Sequence, residues 1–279
     1  MEISLTRAII EDLQKIGVDT FFGVQGGAIA RFIHEIEAVG SHYVPVLNEQ
    51  AAGYCAEGYF FSCKKPAGIL ATTGPGVTNA LSGVASCYYD NVPLIFLVGQ
   101  VGLSLNQASK YGVKMVGFQE LPHLEILDPV VDFCLPVKNQ DDYFSKRKQI
   151  NEALVYDNRV IALEVNDDVQ RLPCRSRPGD FENSEVTFRK PRNIGDEVVH
   201  VDIIILGAGA VDLSDQSIRK INATNVPVVV TWGAQNLSSR LDNFVGIFGT
   251  HCPGDANKLL AVIYGNLRDK YSPSSAPER

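Results

Sequence analysis

The chain has 279 residues, 45% of them hydrophobic and 20% charged, a composition that excludes disorder throughout and a length that suits two domains or one large one. Its 25 lysines and arginines stand against 32 aspartates and glutamates for a net charge of −7, the wrong sign for a protein that holds nucleic-acid phosphates mainly by charge. The longest nearly unbroken apolar stretch, Ile203 to Val211, is about half of the roughly 18 residues a membrane-spanning helix needs. Met1 to Ala8 leads into an amphipathic pattern rather than a secretory leader, so the expectation is a cytoplasmic chain with neither nucleic acid nor membrane as partner.

Leu5, Ile9, Leu13 and Ile16 recur at steps of three and four, which predicts a first helix with one apolar stripe. Thr20 to Gly23, Tyr43 to Val46, Ala67 to Ala71, Leu94 to Val98, Phe133 to Val137 and Val160 to Glu164 read as strands. Ala28 to Glu37, Gln50 to Ser62, Pro75 to Tyr89 and Asp141 to Leu154 fill the helical slots between them. Such alternation is the sign of an α/β fold, a doubly wound parallel sheet covered on both faces. One domain is expected over residues 1–170 and a surface linker over 171–199, where prolines, glycines and asparagines punctuate a polar stretch. A partial second α/β, Rossmann-like domain follows over 200–266, with strands Asp202 to Leu206 and Pro227 to Thr231 and helices Asp212 to Ile221 and Asp255 to Ile263. Residues 267–279, rich in proline and serine, read as a disordered tail.

Thr72-Thr73-Gly74-Pro75-Gly76-Val77-Thr78-Asn79 lies directly after a predicted strand and opens a helix. Glycines there permit close approach of a ligand, and a proline suits a first helical turn whose N–H groups have no partners. A plain tight turn explains the same residues. Glu49 likewise opens a helix, where the helix dipole favours a carboxylate with or without a function. Gly23-Val24-Gln25-Gly26-Gly27-Ala28 forms a third loop of the same kind. All three leave the C-terminal ends of parallel strands, so they can border one crevice.

The six cysteines, at positions 55, 63, 87, 134, 174 and 252, are scattered without metal-ligand or redox spacing and read as reduced thiols. His34, His42, His123, His200 and His251 are isolated in sequence and read as surface or hydrogen-bonded residues, so no metal site is expected. Ser82 and Ser86 fall within a predicted helix and have no recognisable base. Tyr54, Tyr59, Tyr88 and Tyr89 fall on helix faces and read as packing or subunit-interface residues.

An ordered series of motifs carries a resemblance. Phe22-Gly23-Val24-Gln25-Gly26-Gly27-Ala28, Asn48-Glu49-Gln50-Ala51-Ala52, Ala56-Glu57-Gly58-Tyr59 and Thr72 to Asn79 resemble the pyrimidine-binding domain of thiamine diphosphate-dependent enzymes. Asp90-Asn91-Val92-Pro93-Leu94, Gly99-Gln100-Val101, Gly117-Phe118-Gln119-Glu120 and Asp168-Val169-Gln170 extend the likeness in order. Within that superfamily the Gly-Gly-Ala, Gly-Gln-Val and Gly-Phe-Gln-Glu elements are similar to acetolactate synthase and its relatives. The long stretch Leu103 to Val116 resembles the version in relatives linked to surface-polysaccharide biosynthesis. Gln25 stands where the synthases usually have proline.

The resemblance implies decarboxylation and carboligation of a 2-keto acid, with thiamine diphosphate as cofactor. It implies that Glu49 is catalytic, hydrogen-bonding the ring nitrogen of the aminopyrimidine, and that Thr73, Gly74, Pro75 and Asn79 bind that ring. Gly27, Ala28, Gln100, Phe118 and Gln119 then face the substrate. Asp202 to Ala210, Pro227 to Trp232 and Gly246 to Asn257 resemble landmarks of the family's central domain, which binds FAD in acetolactate synthases but not in many relatives. Gly207 and Gly209 lack a third glycine at position 212, which is Asp212, so a simple dinucleotide fingerprint fails.

The family's diphosphate site uses Gly-Asp-Gly and a later Asn to hold Mg²⁺. Gly179-Asp180-Phe181 and Gly254-Asp255-Ala256 approach that motif without matching it. The diphosphate therefore needs metal and N–H donors from elsewhere, and the chain is not expected to be active alone. It reads as the N-terminal part of a longer synthase, as a subunit whose partner supplies the diphosphate domain, or as a non-catalytic module that binds related chains. The first is favoured by an end that falls inside a domain.

Overall fold

A computed structural model describes residues 2–175, 201–211 and 213–248. The chain divides into two compact units, Met1–Phe188 and Arg189–Arg279.

In the first unit the elements run β1 (Glu2–Ser4), α1 (Leu5–Lys15), β2 (Thr20–Gly23), α2 (Ala30–Ala38), β3 (His42–Pro45), α3 (Glu49–Cys63), β4 (Ala67–Ala71) and α4 (Pro75–Tyr89). They continue with β5 (Leu94–Gln100), the short helices α5 (Ala108–Tyr111) and α6 (His123–Leu127), β6 (Phe133–Val137), α7 (Gln140–Val155), β7 (Val160–Asn166) and β8 (Pro173–Arg175). Six of the strands form one parallel sheet in the order β3-β2-β4-β5-β7-β6. The doubly wound α/β class is thus the observed one.

Apolar residues fill both faces of the central strands because both faces are covered. Side chains alternate across a strand. Ile95 and Leu97 therefore enter the core shared with α1, α2 and α7, while Phe96 and Val98 enter the core shared with α3 and α4. Local signals set the helix starts. Ser4 caps α1 by accepting from the Arg7 N–H, and Asn139 and Asp142 form a reciprocal capping box at the start of α7. On α1, the Asp12 carboxylate accepts from Arg147 Nη2 and from the Tyr143 hydroxyl of α7, so a buried ion pair joins the two helices. On the other face α3 and α4 cross at Gly53 and Gly83, where a Cβ on Gly53 would lie 2.4 Å from the Gly83 backbone.

Two short strands depart from the sequence expectation. Pro173–Arg175, inside the expected linker, pair antiparallel with Glu2–Ser4 and bury Cys174. Three-residue strands have no periodicity to read, and their pairing joins remote parts of the chain.

Among the described residues of the second unit, β9 (Ile204–Leu206), β10 (Val228–Thr231) and β11 (Phe244–Phe248) form a parallel sheet ordered β11-β10-β9, with the α-helix α8 (Asp215–Asn222) between β9 and β10 in the chain. Val228, Val229 and Val230 are fully buried. The strand β11 was not expected: it is only half-buried and carries Gly246, so it lacks the apolar run that marks a core strand. The expected helix Asp255 to Ile263, the tail and most of the linker lie outside the described residues.

Candidate functional site

From β2 the chain steps to β3 on one side, and then crosses back to β4 on the other. Where successive crossovers leave in opposite directions, the loops separate and open a crevice at the C-terminal ends of the strands. The loops after β2, β3, β4 and β5 meet there.

The turn after β4 is the tightest part. Gly74 has φ +73, a conformation open to glycine and strained for other residues. A Cβ on it would also lie 2.6 Å from Gln119 O. Pro75 follows as the first residue of α4. Against this turn rests the loop after β2: a Cβ on Gly26 would lie 2.4 Å from Thr72 Cβ, and Ala28 N–H donates to Thr72 Oγ1 at 3.4 Å. Ala28 O accepts from the buried Gln170 side chain at 2.7 Å. Gly27 faces open space.

Glu49 is the first residue of α3, behind its capping residue Asn48. Its half-buried carboxylate reaches across to α4, where Asn79 Nδ2 donates to Oε2 at 3.2 Å. A Cβ on Gly76 would lie 3.3 Å from Oε1, so the glycine leaves the carboxylate room above the first turn of α4. Oε1 has no hydrogen-bond partner among the described residues.

Beneath the rim lies a buried polar cluster. His123 is 0% exposed, Gln100 1%, Glu164 6% and Thr73 7%. Gly74 N–H donates to His123 Nε2 at 3.0 Å, so that nitrogen is the unprotonated one. The ring proton then sits on Nδ1, which lies 2.9 Å from Glu164 Oε2. Val101 N–H donates to Gln100 Oε1 at 2.9 Å, which orients that amide. Gln100 Nε2 donates to Leu121 O at 3.1 Å and to Glu164 Oε2 at 3.2 Å. The Thr73 hydroxyl lies 3.0 Å from Gln100 Oε1, 3.1 Å from Gln119 O and 3.5 Å from His123 Nε2, three acceptors for its one proton.

The loop after β5 is gathered by one carboxylate. Glu120 accepts from the N–H groups of Ala108, Val116 and Gly117 at 2.7, 3.0 and 3.1 Å. Burial by itself raises the Glu120 carboxyl, but these N–H donors and that of Gln107 hold it below the ordinary carboxylate range. The loop carries Gln119, at φ 58, and Phe118, 74% exposed.

Gly27, Ala28, Glu49, Gly74, Pro75, Asn79, Phe118 and Gln119 thus belong to the loops and helix starts that border the crevice. Thr73 and Gln100, expected beside cofactor and substrate, lie just beneath that rim, where their polar groups bond within the buried cluster. His123 and Glu164 were not expected there. One signal for them exists in the sequence: Glu164 is the lone charge in the apolar run Val160 to Val165, and a carboxylate buried in a strand requires a donor. Among the described residues no group of three or more His, Cys, Asp or Glu can hold a metal ion, and no helix is long and apolar enough to cross a membrane.

Residues 3–126 match the family model of the thiamine pyrophosphate enzymes' N-terminal TPP binding domain. The chain is 29% identical to the acetolactate synthase large subunit of Haemophilus influenzae over 276 residues, 93% of this chain and 47% of that protein. It is 26% identical to the 2-hydroxyacyl-CoA lyase of Saccharomyces cerevisiae over 246 residues, 83% of this chain and 43% of that protein. To the acetolactate synthase large subunit of Buchnera aphidicola subsp. Schizaphis graminum it is 35% identical over 144 residues, 51% of this chain and 24% of that protein. The chain thus spans about half or less of the length of these relatives. Residues 3–126 are thus similar to the N-terminal domain of thiamine pyrophosphate enzymes, and the chain is similar in sequence to acetolactate synthase large subunits.

Proposed function

We propose, on the premise that residues 3–126 form a thiamine pyrophosphate-enzyme N-terminal domain, that the crevice holds the aminopyrimidine half of thiamine diphosphate. Its part in the enzyme is decarboxylation and carboligation of a 2-keto acid. The observation that carries this reading is the Glu49 carboxyl: one oxygen is fixed by Asn79 and the other is free above Gly76. A carboxyl so placed can hold a proton against a ring nitrogen and pass it on. Asn79 restricts the rotation of that carboxyl, and the Gly74–Pro75 turn offers the flat apolar neighbour that an aromatic ring needs. Gly27, Ala28, Phe118 and Gln119 line the substrate side, and Thr73 and Gln100 hold the turn from below. When bound, thiamine diphosphate supplies the carbanion and electron-sink chemistry.

The charged diphosphate and its Mg²⁺ need metal ligands and N–H donors. The 279 residues contain no Gly-Asp-Gly motif, so these come from additional sequence or a partner chain, and this chain by itself holds the cofactor weakly. Oligomeric assembly in the cytoplasm fits that arrangement. FAD in the second unit would bind without the glycine fingerprint, because Asp212 breaks it. Calorimetric titration of thiamine diphosphate and Mg²⁺, with and without a chain bearing the Gly-Asp-Gly motif, tests the reading. Binding that requires both chains and is lost in Glu49→Gln supports it; equal binding by the Glu49→Gln chain overturns the role of Glu49.

A second reading, a non-catalytic module that binds related chains, is favoured by one observation. Tyr54 and Phe61 of α3 and Tyr89 of α4 are exposed aromatic residues, of the kind that anchor protein interfaces. Native mass measurement separates the two readings: a stable complex formed without any cofactor dependence favours the module.

A further inference from the structure

We propose that His123 is a positioning residue: as a neutral imidazole with its proton on Nδ1, it locks the Gly74 turn by accepting the Gly74 N–H. The inference rests on the proposed function only for the turn's task beside a pyrimidine ring; the lock itself is a property of this chain.

Three observations carry it. Gly74 sits at φ +73, ψ −124, a conformation that local preferences alone do not hold, and its N–H points into the protein at His123 Nε2, 3.0 Å away. A buried amide N–H left without an acceptor is costly, so this contact selects both the turn and the tautomer. The Nδ1 side is equally constrained. Glu164 Oε2 lies 2.9 Å from it, and both hydrogens of Gln100 Nε2 have other acceptors in Leu121 O and Glu164 Oε2. The reverse tautomer would set a ring N–H against the Gly74 N–H, two donors facing each other.

The order of action is therefore Glu164, then His123, then Gly74. Glu164 is presented by the rigid strand β7, paired on both sides by β5 and β6. His123 opens α6 on the far side of the crevice loop. The imidazole transmits the position of a central strand to a loop that has no ladder bonds of its own. Carboxylate–imidazole pairs set ring orientation and tautomer in this way in many sites.

The experiment is NMR on the full chain with ¹⁵N-labelled histidine and backbone. The wild-type ring should report an unprotonated Nε2 and a protonated Nδ1, and the Gly74 amide should be protected from solvent exchange. In His123→Gln the longer amide side chain reaches the Nε2 position and can still accept from Gly74. In His123→Asn the shorter one reaches only the Nδ1 position, keeping a donor for Glu164 but losing the acceptor. We expect Gly74 exchange about tenfold faster in His123→Asn and near the wild-type rate in His123→Gln, the size of one lost hydrogen bond. Equal exchange in the two variants, or a wild-type ring protonated on Nε2, overturns the proposal. If His123→Asn does not fold, the wild-type tautomer alone decides. None of these measurements involves thiamine diphosphate, so failure of the cofactor reading leaves the lock standing, and failure of the lock leaves the Glu49 titration to be judged by itself.

Discussion

Gly53 and Gly83 are each other's packing partners at the crossing of α3 and α4: a Cβ on Gly53 would lie 2.4 Å from Gly83 C, and one on Gly83 would lie 2.9 Å from Gly53 Cα. The contact is backbone on backbone, which neither rotamer change nor a flexible neighbour can relieve. It sets the spacing of the two helices whose N-terminal halves carry Glu49 and Asn79.

Gly53→Ala is accordingly expected to destabilise the first unit by about 1–3 kcal/mol, the cost of overpacking a close-packed core. Gly58→Ala is the control in the same helix, because a Cβ there meets nothing within 4 Å. It should be neutral or stabilising by up to about 1 kcal/mol through helix propensity. Urea unfolding of both variants checks the contrast, and equal stabilities would refute the close contact.

Removing Arg147 leaves the buried Asp12 carboxylate with only the more exposed Lys15 ammonium, 3.6 Å away, as a cationic partner. Arg147→Ala should cost about 3–5 kcal/mol, as expected when one member of a buried ion pair is removed. The double variant Asp12→Asn with Arg147→Met should recover part of that loss, since the remaining partner is no longer charged. A double-mutant cycle on thermal or urea unfolding measures the coupling.

Acid should open the loop gathered by Glu120. Its carboxyl is held below the ordinary range in the folded chain, so its contribution is present above the unfolded-state pKa and is lost as pH falls through the folded value. Hydrogen exchange at Val116 and Gly117 N–H, corrected for the intrinsic rate, should lose protection as pH is lowered into the carboxylate range. In Glu120→Gln this loss should no longer follow pH.

Thiol reactivity should divide the cysteines by burial. Burial, with Glu57 and Asp90 nearby, pushes the Cys87 thiol up to about 12, and its Sγ donates to Gly53 O at 3.5 Å. Cys55 and Cys63 are exposed. Alkylation of the native chain near neutral pH, followed by peptide mapping, should modify Cys63 and Cys55 and leave Cys87 intact until the chain unfolds. Early modification of Cys87 would contradict its place in the α3–α4 core.

The central sheet could be read from the sequence because its chemistry is local. Ala67–Ala71, Phe133–Val137 and Thr20–Gly23 have the same bounds in the structure as in the apolar runs that announce them. A strand covered on both faces must be apolar throughout, and its flanking loops must be polar. The rim of the crevice was readable for a related reason, since glycines before helix starts mark where backbone passes close to something. What lay below the rim was not. Gln100, His123 and Glu164 come from three elements and meet only when β5, α6 and β7 are in place, and nothing in the neighbours of His123 along the chain marks it. The bonding of Gln100 met the same limit: residue type and position mark a polar side chain near a site, but the partners it finds are a tertiary fact.

The pairing of β1 with β8 has a consequence for the connectivity of the first unit. Glu2 lies opposite Arg175 in the antiparallel register, so the first and last described residues of this unit are neighbours about 5 Å apart. The covalent path from residue 2 to residue 175 is thus nearly a closed ring. A short bridge between those two residues would complete it and would allow new ends to be cut at an exposed turn elsewhere, such as Gly40, where the chain has a positive φ and open space around it. For this unit, the order of elements around the ring matters more to the architecture than which of them comes first.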